Sequence, residues 1–165
     1  MSNISGPLPL PTPRRFRLGR RSILIGAATL VILALAYLGF TMWRMSYVPA
    51  DLDFSTTQLS ESGLYQATIV PDSEPIAINQ LHTWTVHIET GDGQPLSDAT
   101  VTVDGDMPQH GHGMPTRPQV TQNLGNGDYL VEGMKFQMGG WWVVEFMIGA
   151  GGEQDKVSFN LLLEG

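Results

Sequence analysis

Two regimes of hydrophobic patterning divide this chain of 165 residues. Residues 22–43, SILIGAATLVILALAYLGFTMW, are apolar without any period and carry no charge. At about 1.5 Å per residue, a helix of that length spans the roughly 30 Å hydrocarbon core of a bilayer. From residue 61 onward the period is two. Tyr65, Ala67 and Ile69 alternate with Gln66 and Thr68, and Trp84, Val86 and Ile88 alternate with Thr83, Thr85, His87 and Glu89. This is the pattern of half-buried strands. Asp92-Gly93 supplies a tight turn, after which Ala99, Val101 and Val103 alternate with Thr100 and Thr102. A short strand follows near 119–122, then a turn at Asn126-Gly127 and a strand over 128–132 that continues to Met138. Two last strands carry Trp142, Val144, Phe146 and Ile148, then Val157, Phe159, Leu161 and Leu163, around the glycine turn GAGGEQD. The pattern predicts an all-β, immunoglobulin-like antiparallel sandwich of about seven strands, preceded by one N-terminal transmembrane helix.

Charge orients the chain. Arg14, Arg15, Arg17, Arg20 and Arg21 precede the apolar run and only Arg44 follows closely, so the positive-inside rule places the N-terminus in the cytoplasm. Residues 1–21 read as a cytoplasmic Pro/Arg-rich tail, 22–43 as the transmembrane helix, 44–60 as a linker and 61–165 as the sandwich, held on the periplasmic side of a bacterial cytoplasmic membrane. The apolar run exceeds the ~7–15 residues of a signal-peptide core, and Val48-Pro49-Ala50 is a poor cleavage site, so the helix is expected to remain as an anchor. From Asp51 onward all 16 acidic residues face only Arg117, Lys135 and Lys156. Such a surface repels phosphate backbones, which excludes nucleic acid as a partner, and it attracts cations. With no Cys there is no disulfide, thiolate zinc site, iron–sulfur cluster or thiol catalysis.

Candidate chemistry concentrates in residues 104–118, DGDMPQHGHGMPTRP, which read as an irregular connection stiffened by three Pro and three Gly. His110 and His112 are half of the chain's four His, and Met107 and Met114 bracket them. Thioether sulfur with imidazole nitrogen, free of thiolates and carboxylate clusters, suits Cu(I) best. Zinc through His110, His112 and an Asp is the hard-metal alternative. The calcium-loop pattern fails, because Pro115 stands where the EF-hand requires Glu. Glycine-and-proline loops with exposed His also occur with no metal at all.

Further candidates lie on strands. His82 shares a face with Trp84 and reads as a hydrogen-bonded core residue, and His87 as a solvated one. Met134 and Met138 share a face with Phe136 and read as core, with Met138 able to add a sulfur donor at an open end. Trp141 and Trp142 take opposite faces, one buried and one partly exposed. There is no nucleophile elbow, no phosphate-cradling glycine loop and no His-Glu-x-x-His helix, so no enzyme is expected.

The order of a Gln94-Pro95-Leu96 turn, Ala99-Thr100-Val101-Thr102-Val103, Met107-Pro108-Gln109-His110-Gly111-His112-Gly113-Met114, Gly127-Asp128-Tyr129, Met134-Lys135-Phe136-Gln137-Met138 and Gly140-Trp141-Trp142 resembles the YtkA-like family, grouped with FixH-like proteins. Some similar proteins carry the label auxin-binding protein. The resemblance covers about residues 78–163 and implies an immunoglobulin-like domain held outside the membrane by one helix. It implies further an accessory role in copper delivery and in assembly of haem–copper respiratory oxidases, with such oxidases or copper-handling proteins as partners. Met107, His110, His112 and Met114 are then the copper ligands, with Met138 as an addition. The rival expectations are a metal-free interaction module docking on a membrane complex, and a binder of a small organic ligand at the Trp/Met/Phe end.

Overall fold

The computed structural model describes residues 19–165. The Pro/Arg-rich segment read as a cytoplasmic tail lies almost wholly outside the described residues. The chain divides into two units, residues 1–43 and 44–165. α1 (Arg20–Ser46), most of which belongs to the first, begins with two Arg and continues into an apolar surface, up to Arg44 in its last turn, that buries none of its residues. A helix that is apolar all round has no polar face to turn to water. This one is long and apolar enough to cross a membrane.

The second unit is a sandwich of two antiparallel sheets. One has five strands in the order β1 (Thr57–Leu59), β2 (Tyr65–Pro71), β3 (His82–Thr90), β7 (Asp128–Met134) and β6 (Gln119–Gly125). The other has four: β5 (His112–Gly113), β4 (Thr100–Met107), β8 (Gly140–Ala150) and β9 (Glu153–Leu163). The alternation works as expected: Trp84, Val86 and Ile88 from one sheet meet Trp142, Val144, Phe146 and Ile148 from the other in one core. Full burial of side chains of this size contributes about 1.5–3 kcal/mol each. The hairpin turns carry the residues that tolerate positive φ, Asn126-Gly127 (53° and 83°) between β6 and β7 and Gly151-Gly152 (61° and 87°) between β8 and β9. Near the start of β7 the Tyr129 hydroxyl donates to Leu96 O at 2.7 Å and accepts from the Ala99 N–H at 2.9 Å. These bonds tie the connection between β3 and β4 to β7.

Four expectations need correction. There are nine strands rather than about seven, because β1 and β5 are too short to show a period. β7 ends at Met134 instead of continuing to Met138, and residues 135–139 form the connection to β8. The segment read as irregular from residue 104 is largely ladder: β4 runs on to Met107, and β5 returns antiparallel to it. The stretch 44–60, read as a linker, supplies β1, whose residues pair with β2 from Thr57↔Thr68 to Leu59↔Gln66.

Candidate functional site

The β4–β5 hairpin carries the sequence-predicted donors, and its register decides which of them meet. Val101, Val103, Gly105 and Met107 are the more buried positions of β4, alternating with exposed Thr102, Asp104 and Asp106. Met107 pairs directly with His112, and the Met114 N–H donates to Gly105 O at 3.1 Å. Residues opposite one another in an antiparallel pair project to the same side. Met107, His112 and Met114 therefore share the inner face. Gly105 has no side chain, and the Met114 tip takes its place: a Cβ on Gly105 would stand 2.4 Å from Met114 Cε. Met107 is fully buried and lies over Gly140, where an added Cβ would come within 2.5 Å of its Cε.

His110 is in the turn, which closes by N–H bonds from His110 (3.0 Å) and Gly111 (2.8 Å) to Met107 O. Its ring centre is 5.8 Å from that of His112, with the planes 31° apart. On its other side His112 meets Trp142 edge-on at 6.0 Å. Met138 lies in the 135–139 connection, half-buried against the core, and its carbonyl accepts the Trp142 indole N–H at 3.0 Å. The structure thus gathers Met107, His112 and Met114 on one face, sets His110 beside His112, and ties Met138 to the same end through Trp142.

Two glutamines belong to this end, and the sequence reading missed both. Gln109 Nε2 donates to Tyr47 O at 3.1 Å while its Oε1 accepts from the Trp141 N–H at 3.4 Å, which fixes the hairpin turn to β8. Gln137 Nε2 lies 2.9 Å from His112 Nδ1 and 3.2 Å from Gly113 O. Its Oε1 is buried without a partner. A lone polar residue between Phe136 and Met138 was the available signal.

Among the described residues no three His, Cys, Asp or Glu side chains come together as a metal-binding group. The zinc alternative, which needed His110, His112 and an Asp, finds no such third ligand there. Any ion held at this end would draw on sulfur, and the donor set of two thioethers and two imidazoles fits a soft monovalent ion. Outside the hairpin, Asp104, Asp106 and Glu145 line a cavity of about 160 Å³ on the outer face. Burial, then the charges of Glu145 and Asp104, push the Asp106 carboxyl above its ordinary range.

The other two His are engaged by oxygen. His82 is buried, with Nε2 2.7 Å from Ala77 O and Nδ1 3.5 Å from Asp72, as expected of a core residue. His87, expected to be solvated, is instead half-buried and paired, Nδ1 at 2.6 Å from Asp128 and Nε2 at 3.4 Å from Glu89. The reason is register: His87 faces Asp128 across the β3–β7 ladder. Trp142 is fully buried and Trp141 half-buried, the latter donating its indole N–H to Asn160 at 3.0 Å.

A family model described as YtkA-like matches residues 59–147, more than half of the chain. No curated protein matches it in sequence. Among solved structures, a DUF4426 family protein from Pseudomonas aeruginosa is similar at 16% identity and a TM-score of 0.47, over 66% of this chain and 94% of that one. The ZirS C-terminal domain is similar at 12% identity and a TM-score of 0.34, over 97% of this chain and 86% of that one. The matched family segment runs from β1 into β8 and contains the whole His/Met hairpin: this chain belongs to the YtkA-like family.

Proposed function

We propose that this protein is a membrane-anchored, extracytoplasmic accessory protein that binds Cu(I) at the β4–β5 hairpin and passes it on, in service of haem–copper oxidase assembly. The observation that carries the reading is the shared inner face of Met107, His112 and Met114, with His110 alongside. Two imidazole nitrogens each ~2.0–2.1 Å from one ion place their ring centres roughly 5–6 Å apart. The 5.8 Å between His110 and His112 fits that spacing. Thioethers hold a monovalent copper ion without the grip of thiolates, so binding is reversible, as transfer requires. The surplus of acid outside the apolar helix draws cations towards the domain. Met138 is the reserve sulfur donor at the same end.

The test is competition for Cu(I) between a chromogenic chelator and the full chain in detergent, wild type against Met107→Leu/His112→Asn/Met114→Leu. Met-to-Leu exchanges keep core volume and remove only the sulfur, at less than about 1.5 kcal/mol each. Affinity should fall on the order of 100-fold, since even outer-shell changes at metal sites reach 10–100-fold. Equal affinities in the two proteins would remove the hairpin as the copper site.

A further inference from the structure

We infer that Gln137 is a positioning residue that selects Nε2 of His112 as the nitrogen presented to the ion, an inference that rests on the copper reading above. Gln137 sits in the short connection between β7 and β8, between buried Phe136 and half-buried Met138, with its amide turned towards β5. A primary amide offers two N–H donors and one carbonyl acceptor. Both donors are engaged here, one by His112 Nδ1 at 2.9 Å and one by Gly113 O at 3.2 Å. Nδ1 accepts a hydrogen bond in this arrangement, so the ring proton resides on Nε2.

A histidine that coordinates through Nε2 has the opposite tautomer, with the proton on Nδ1 and an acceptor facing it. Gly113 O is 3.4 Å from Nδ1, too long to serve well. The other acceptor at hand is the Gln137 carbonyl, whose Oε1 is buried and unpartnered as it stands. Buried polar atoms of this kind call for a physical reason. A half-turn of the amide brings Oε1 to Nδ1–H and gives the orphaned oxygen its partner, while Gly113 O gives up its donor. Neither setting satisfies every group. The amide therefore has two poised positions: N–H on Nδ1 keeps the proton on Nε2 and closes His112 to the ion, and C=O on Nδ1 opens it. In both, Nδ1 is occupied, so Nε2 is the nitrogen that faces the ion, and it is free to coordinate only in the second.

The experiment uses the full chain in detergent with 15N-labelled histidine, which gives only four rings to assign. At about pH 8, above the ordinary histidine range, nitrogen shifts should place the His112 proton on Nε2 in the wild type. Gln137→Glu, which can only accept, should move it to Nδ1, and Gln137→Met should leave a mixture. Silver(I), a diamagnetic stand-in for Cu(I), should then couple to Nε2. Its affinity should rise about tenfold in Gln137→Glu, at the lower end of outer-shell effects, and by less in Gln137→Met, where the tautomers are mixed. One tautomer distribution or one silver affinity in all three proteins overturns the inference. Silver coupling at Nδ1 overturns it alone, whereas silver that leaves His112 untouched in every protein overturns it together with the copper reading.

Discussion

The histidines of β3 and those of the β4–β5 hairpin are the same side chain in opposite circumstances. His82 and His87 each have both ring nitrogens within reach of oxygen, from Ala77 and Asp72 in one case and from Asp128 and Glu89 in the other. His112 engages its amide and carbonyl neighbours through Nδ1 alone, and its surroundings are otherwise thioethers and aromatic rings. Oxygen acceptors hold an imidazole by its protons, whereas a thioether is a weak acceptor and leaves the lone pairs uncommitted. Within one sandwich, oxygen acceptors tie His82 and His87 to the fold, and on the copper reading proposed above the sulfur-lined end keeps its own for a cation.

The most forceful test of this contrast is His82→Ala. It removes a fully packed ring beside Phe136, 6.3 Å between centres, and leaves Ala77 O without its partner. Large-to-small replacement and a lost buried hydrogen bond together cost about 2–4 kcal/mol. Thermal unfolding should register that loss while Cu(I) affinity stays at the wild-type value. A parallel fall in affinity would break the comparison, because β3 would then share in holding the ion.

Gly105→Ala probes the hairpin side with a smaller effect. The added Cβ would meet Met114 Cε at 2.4 Å and Val143 O at 3.2 Å. The tip of a flexible Met gives way more readily than backbone, so Met114 should be displaced. Cu(I) affinity should drop about tenfold and stability by only about 1 kcal/mol. Unchanged affinity would mean that the Met114 sulfur is not a donor.

The two-residue period legible at Val101 and Val103 in fact runs on through Gly105 and Met107 and resumes at His112 and Met114. A glycine in an inward slot and Pro108 in the turn make the run look irregular, although the donors it carries are plain to see. The strands of the core were legible because each buries large residues at alternate positions. β1, only three residues long and mostly exposed, has no such period to read. Gln137 left only an ambiguous signal: a polar residue between two apolar ones looks like the outward member of a strand, and only the fold turns it towards His112.

The smallest effect belongs to His87 and concerns pH. Partial burial opposes its protonation, but the hydrogen bonds to Asp128 and Glu89, with their charges, outweigh it and raise its pKa above the ordinary 6.5. A group whose pKa is higher in the folded protein than in the unfolded chain binds protons preferentially when folded. Its contribution is therefore complete below about pH 6.5 and is lost as pH rises through the raised folded value. With the ring at the surface, the contribution is at most about 1 kcal/mol. In His87→Gln that decline should be absent, so melting temperatures of variant and wild type should converge as pH rises and separate, wild type above, as it falls towards 6. Cu(I) affinity at neutral pH should be the same in both. A wild-type advantage that instead grew with pH would show that the imidazole is held neutral, and the division between oxygen-bound and sulfur-facing histidines would lose its electrostatic basis.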